Sequence, residues 1–345
     1  MTETPRAEND EAPQTGDLRR KLVRGGIAVG VLVAVAVGVI ALVPGLSGVR
    51  SAISSASPGW VAAAVVIQLV GLAGAVVFVQ AVFDELPRRL TWWQGWGMQG
   101  ANAVLPTAGS TGVSYWTVNA VGWSNYQFAE RTAVMIIAPA APNLVLIMIF
   151  GVLMGLGVVA GSSDWWLTWL PAAIAFVVAA GAIAIAAWAE KLATRVKNQR
   201  LAQAITIVAT GVTGTVAILR RRSWRVVGTW VDLFGSIGVL WASLIAVGDH
   251  LPFSVVAMGY LVGQIAQVIP VPGGVGAIDA GVTGALVLYG APATITTAGE
   301  LISHGIDLAV PIVTGIVAFV FLPHQIDAAR ANRRVELEAT SPVRA

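Results

Sequence analysis

The sequence contains no cysteine. Disulfides, thiolate metal sites and a cysteine nucleophile are therefore excluded, and the redox state of the compartment leaves no mark on the chain. Charge is also scarce. Asp, Glu, Lys and Arg make up 11% of the 345 residues, against about a quarter in soluble domains. The formal net charge of +3 is spread over short loops, which argues against a nucleic-acid partner. His250, His304 and His324 are scattered, without zinc-ligand spacing. No H-E-x-x-H, Walker-type P-loop or dinucleotide fingerprint occurs. Ser110, in Ala108-Gly109-Ser110-Thr111-Gly112, lacks the first glycine of G-x-S-x-G. The expectation is a protein with no cofactor and no metal, and not an enzyme.

Apolar length is what the chain has in excess. It is 56% hydrophobic, with a mean hydropathy of +0.77, and several runs approach or exceed the ~20 residues that span a bilayer. This composition predicts an all-α polytopic integral membrane protein with about six full spans. Residues 1–18 are polar and read as a disordered cytoplasmic tail. Residues 19–325 read as a single transmembrane domain, and 326–345 as a polar cytoplasmic tail. The run 25–43 is longer than a usual signal-peptide core and follows a long polar stretch, so an uncleaved first helix is favoured over a signal peptide. Further spans fall at about 59–83, 132–161, 170–188, 226–247 and 295–322. The run 201–219 is uncharged but rich in Thr, Gly and Ala, with basic clusters at both ends. It either crosses or lies at the interface, and the interfacial reading fits the charge rule better. Basic clusters at 88–89, 191–200 and 220–225, and near both termini, then face the cytoplasm, with the Asp164 and Asp249 loops outside. This is the pattern of a multi-pass protein of the cell membrane.

Two apolar segments are interrupted. Residues 263–279 read GQIAQVIPVPGGVGAID, where Pro270 and Pro272 lack amide hydrogens and Gly273, Gly274 and Gly276 lack Cβ atoms. A straight helix should break there. The earlier stretch QGANAVLPTAGSTG repeats the P-x-x-G-x-x-G spacing with Pro106, Gly109 and Gly112. A broken backbone within lipid is tolerated only where it is buried in protein or lines a wet cavity. Both segments are therefore expected as re-entrant arches, the first dipping in from the cytoplasm and the second from outside. Opposed arches are what an inverted repeat gives, with a substrate site near the midplane. Ordinary Pro-kinked spans are the alternative.

Intramembrane ionisable groups are functional candidates by default. Glu300, His304 and Asp307 fall at i, i+4 and i+7, on one face of the last helix. They could relay protons, hold a cationic headgroup, or bond to each other as packing. Asp279 is either a helix N-cap or a group facing the cavity. Glu130 and Arg131 are a candidate headgroup contact, since Arg binds phosphate bidentately, or a solvated helix junction. Asn102, Gln264 and Gln267 could satisfy opened backbone or touch substrate. Asp232, about two turns into its span, reads as paired near the cytoplasmic interface.

The stretch IPVPGGVGAIDAGVTGAL resembles the PGG-x-G-x-x-E motif of the lysylphosphatidylglycerol synthase transmembrane (flippase-like) family. Asn102, Leu105, Pro106, the glycines to Gly112, and Glu130–Arg131 resemble its N-terminal motif. The resemblance covers roughly residues 20–325. Asp279 stands where the family has glutamate, and the arginine typical of the last span has no clear counterpart, with Ser303 and His304 nearby. The soluble aminoacyltransferase domain of full-length synthases has no counterpart. The resemblance implies translocation of a polar-headed lipid or lipid-linked intermediate between leaflets, with membrane lipid as substrate. Rival readings are a membrane-embedded enzyme acting on a lipid headgroup, and an accessory subunit with partners in envelope synthesis.

Overall fold

The computed structural model describes residues 47–105, 108–161, 164–195, 198–221, 223–264 and 277–340. Among them the regular structure is helical: α1 (Ser47–Ser54), α2 (Pro58–Val82), α3 (Arg88–Val104), α4 (Ala108–Ala120), α5 (Asn125–Ile137), α6 (Ala140–Gly155), α7 (Trp165–Arg195), α8 (Gln199–Arg220), α9 (Val227–Ala246), α10 (Phe253–Gly263), α11 (Ala277–Leu288) and α12 (Ala293–Thr340). The expected first span at 25–43 lies outside the described residues, as do Pro106, Gln267, Pro270, Pro272, Gly273, Gly274 and Gly276.

Helix starts follow local chemistry. Pro58 opens α2 after an extended Ser57, the position where a missing amide hydrogen costs nothing. Ser124 and Gln127 form a reciprocal capping box at the start of α5. Pro87 and Pro252 hold the N-cap positions of α3 and α10. In α7, Trp188 leaves helical geometry at φ −117°, ψ 17°.

Six stretches among the described residues are long and apolar enough to cross a membrane: Pro58–Val82, Asn125–Gly155, Trp165–Ala189, Leu201–Arg220, Trp224–Ala246 and Ala293–Arg333. The molecule is an all-α polytopic membrane protein. Leu201–Arg220 is one of the six, where sequence favoured a surface position. Its threonines return their hydroxyls to the helix backbone, as Thr206 does to Ala202 and Thr213 to Ala209. Gly211 and Gly214 bring α8 tight against Ala133, Val134 and Ile137 of α5.

Glycine contacts fix the central pair. α2 and α9 lie antiparallel: Ser57 N–H donates to Ala246 O, Gly71 faces Gly235, and Gly74 faces Gly228 and Val231. A Cβ on Gly235 would sit 2.6 Å from the Gly71 Cα. Small residues at a helix crossing allow such backbone approach. A second crossing joins α3 to α12, where a Cβ on Gly100 would meet the Gly315 Cα at 2.5 Å.

The helices on either side of each interruption pack against each other. In the first, Gly109 of α4 abuts the Ala101 carbonyl of α3, and Ser114 Oγ lies 3.1 Å from Met98 Sδ. In the second, Gly263 of α10 faces Val282 of α11, and Gly259 faces Leu286. The α3–α4 hairpin has both feet at one end of the bundle. There Arg131 bonds Glu85 at 2.6 Å, Arg221 bonds Asp84 at 3.2 Å, and Arg225 donates to Gln80 O. Arg330 of α12 donates at 2.8 Å to Ala120 O, at the end of α4. The α10–α11 hairpin has both feet at the other end, among Trp60, Trp241, Phe253 and Phe150. Ser254 there donates to Ala160 O and Tyr289 to Leu167 O. We call these the basic and aromatic ends.

The buried apolar side chains form two large clusters, one around each hairpin. Phe78, Phe83, Leu90, Met98, Val113, Val118 and Leu322 belong to the first. Leu146, Ile237, Leu244, Met258, Leu261, Val282 and Leu286 belong to the second.

Candidate functional site

Between the two apolar clusters runs a polar face. On α12, Glu300 (8% exposed) and Ser303 are buried, and His304 and Asp307 are half-buried. At 1.5 Å per residue the carboxylates of Glu300 and Asp307 are ~10 Å apart along the axis. Pro311 has no N–H to offer the Asp307 carbonyl, so the helix ladder is interrupted beside that carboxylate.

The facing surface belongs to α9. Asp232, Ser236 and Ser243 fall at i, i+4 and i+11, which is one side of a helix. That side turns toward α12: Val239 and Ala242 cluster with Ile306, and Gly299 packs on Leu244. The antiparallel register sets Ser243 level with Glu300, and Ser236 level with Asp307. Ser243 is fully buried, and its hydroxyl meets no hydrogen-bond partner among the described residues. Tyr260 of α10 completes the site. Its phenol lies within electrostatic reach of Ser236, Gln264, Asp307 and Asp232, and the Ser236 hydroxyl donates to the Asp232 carbonyl at 3.2 Å. Three helices thus bring two carboxylates, a phenol, a hydroxyl and an amide together.

Other candidates from the sequence fall elsewhere. Arg131 is 19% exposed and sits at the basic end, bonded to Glu85 at 2.6 Å, 3.8 Å from Asp84, and over the Trp123 ring at 5.9 Å. Glu130 beside it is exposed. Asn102 is exposed at the tip of the first hairpin, where its Oδ1 accepts from Ser110 Oγ at 3.4 Å. Gly112 opens the second turn of the returning helix α4. Asp279 is in the first turn of α11, and its side chain lies outside what is described. Asp232, which the sequence reads as paired near the cytoplasmic interface, lies within electrostatic reach of Tyr260. Tyr260 was missed. A phenol inside the apolar stretch 253–263 was the available signal.

A cavity of about 480 Å³ opens elsewhere, between α7 and α8, lined by Ala186–Ala189, Ala209, Thr210 and Thr213. Those lining residues carry no charge, so they offer a charged headgroup nothing to pair with.

The sequence matches the family described as "Lysylphosphatidylglycerol synthase TM region" over residues 27–315. The chain belongs to this family. The matched region takes in both hairpins and the polar face, up to the Gly100–Gly315 crossing. A search of curated proteins found no match. Membership of the lysylphosphatidylglycerol synthase transmembrane family relates the chain to membrane-lipid chemistry, handled within a multi-pass helical bundle.

Proposed function

We propose that this chain carries a polar-headed lipid across the cell membrane, between two re-entrant hairpins arranged as an inverted repeat. One observation carries the reading: the two hairpins enter from opposite ends, with a constant offset in sequence. Pro106, Gly109 and Gly112 recur 164 residues later as Pro270, Gly273 and Gly276. The same 164 residues separate Gly71 from Gly235, the facing pair at the α2–α9 crossing. Adding 164 to Ile67 and Gly74 gives Val231 and Gly238, and the contacts Ile67–Gly238 and Gly74–Val231 are both present. Reciprocal contacts of this kind are the signature of a two-fold axis. The exchange extends outward, with α3 packed on α12 and α10 on α6 through Gly151 and Met258.

An axis in the membrane plane puts discontinuous helices at the midplane, where carriers bind substrate. The ionisable face of α9, α10 and α12 supplies the polar lining that a headgroup needs in apolar surroundings. Arg131, Arg221, Arg225, Arg330 and Arg333 gather at one end, which the positive-inside rule assigns to the cytoplasm. Arg131 at that end, with its guanidinium already paired to Glu85, guards the approach rather than the midplane.

The test is direct. The full chain is reconstituted in vesicles containing fluorescent phosphatidylglycerol, and dithionite is added outside. Quenching beyond the outer-leaflet fraction, with the lipid recovered at unchanged mass, is the expected result. A lipid of altered mass would move the assignment to an enzyme. Because the chain has no native cysteine, Asn102→Cys and Ala280→Cys report the topology. An impermeant thiol reagent should reach them from opposite faces, and access to both from one face would overturn the inverted repeat.

A further inference from the structure

The polar face has an order that headgroup binding alone does not require. From the aromatic end inward it runs Glu300, His304, Asp307, then Tyr260 with Ser236, then Asp232. Each step along α12 is about one helical turn, ~5–6 Å. Asp232 stands five residues into α9, whose start is tied to the basic end through Arg225 and Gln80. The series therefore reaches from the outer third of one helix to the opposite third of its neighbour. Ser243, fully buried with its hydroxyl unpartnered among the described residues, is level with Glu300 on the facing helix. A buried polar atom left in this state marks a place for a further hydrogen-bonding species, such as a water.

We infer that this face is a proton relay, coupling lipid movement to a transmembrane proton gradient; the inference builds on the carrier reading above. One proton arrives on the Glu300 carboxylate and passes to the His304 imidazole, forming imidazolium. It continues to the Asp307 carboxylate, crosses by the Tyr260 and Ser236 hydroxyls, and leaves from Asp232. Each donor ends as it began, and nothing is oxidised or reduced. Imidazole both takes and gives a proton near neutral pH, which suits His304 to its place between two carboxylates. A metal ion shared by Glu300 and Asp307 is disfavoured, because two turns of helix hold them ~10 Å apart. The other ionisable groups on elements packed against α12 are Arg50 on α1, Arg88 and Arg89 at the foot of α3, Tyr115 on α4 and Asp279 on α11. The membrane part of α2 has none.

The experiment uses the full chain in phosphatidylcholine–phosphatidylglycerol vesicles holding a pH-sensitive dye, with the dithionite assay run in parallel. With an imposed pH gradient, the wild type should take up protons and move fluorescent phosphatidylglycerol faster than without it. Asp307→Asn and His304→Phe should each slow proton uptake about tenfold or more. Asp327→Asn, at the exposed end of α12, should retain it. Monodisperse elution of each variant separates loss of relay from loss of fold. Lipid movement indifferent to the pH gradient, with no proton uptake, overturns the relay and leaves the carrier standing. Proton uptake without lipid movement overturns the carrier and keeps the relay. Acceleration by a sodium gradient alone overturns the proton as the coupled ion.

Discussion

Gly71 and Gly235, 164 residues apart, share a backbone setting, while residues around them at the same offset differ in chemistry. Gly71 and Gly235 meet at the crossing, but Asp232 corresponds to Gln68, Ser236 to Leu72, Ser243 to Val79 and Tyr260 to Trp96. The first half thus presents an amide, two aliphatic groups and an indole where the second presents a carboxylate, two hydroxyls and a phenol. Conversely, Gln94 is fully buried within the first half, its amide atoms without hydrogen-bond partners among the described residues. Its counterpart Met258 packs beside Gly151 in the second apolar cluster. Small residues meet at the crossing from both halves, while Asp232, Tyr260, Glu300, His304 and Asp307 all lie in the second.

The strongest way to break this comparison is at its axis. Gly235→Leu and Gly71→Leu each force a side chain into the opposite backbone, where 2.6 Å and 3.2 Å separate the added Cβ from Cα. Overpacking of this kind costs about 1–3 kcal/mol or more. The two losses should be similar in a denaturant titration, because each residue meets the other, and a large inequality would argue against the two-fold.

A smaller effect is expected at the basic end. Arg131→Gln removes the pair with Glu85 and the contact over Trp123, together about 1–2 kcal/mol. That loss should shrink in high salt, which screens the partly exposed charges. Trp241→Leu at the aromatic end breaks edge contacts to Trp60 and Phe253, and its cost of about 1 kcal/mol should not depend on salt.

The smallest effect belongs to the loop at the aromatic end. Burial raises the Asp249 carboxyl above its ordinary 3.8, partly offset by the charge and backbone hydrogen bond of His250. The folded state therefore holds this proton more tightly than the unfolded one. The stability it contributes is complete below the ordinary carboxylate range and is lost as pH rises through the shifted value. Asp249→Asn should flatten that stretch of the stability–pH curve, and an unchanged curve would remove the assignment.

Much of the architecture was legible in the sequence because lipid imposes long apolar runs and Pro/Gly pairs punctuate them. The α3–α4 fold-back follows from Pro106, Gly109 and Gly112, and the shared face of Glu300, His304 and Asp307 follows from helical spacing. Leu201–Arg220 was harder. Its hydroxyls lower the apparent hydropathy, yet Thr206 and Thr213 spend them on their own helix. The Arg131–Glu85 pair joins residues 46 apart, and no local pattern announces such a pair. The Tyr260 cluster draws on α9, α10 and α12, residues far apart in sequence whose proximity hydropathy does not encode.

Helix α12 carries one more mechanical consequence. It is 48 residues long, ~70 Å, against a hydrocarbon core of ~30 Å. It crosses α3 at Gly315 and grips the end of α4 through Arg330. Taken as rigid through Pro311 and Pro323, a rod pivoted at that crossing is a lever. A tilt of ~5° would move Thr340 by ~3 Å, while Asp307, two turns from the fulcrum, would shift by only ~1 Å. A small adjustment at this half-buried carboxylate would thus be amplified at the far end of the helix, and a load on that end would reach the carboxylate with greater force.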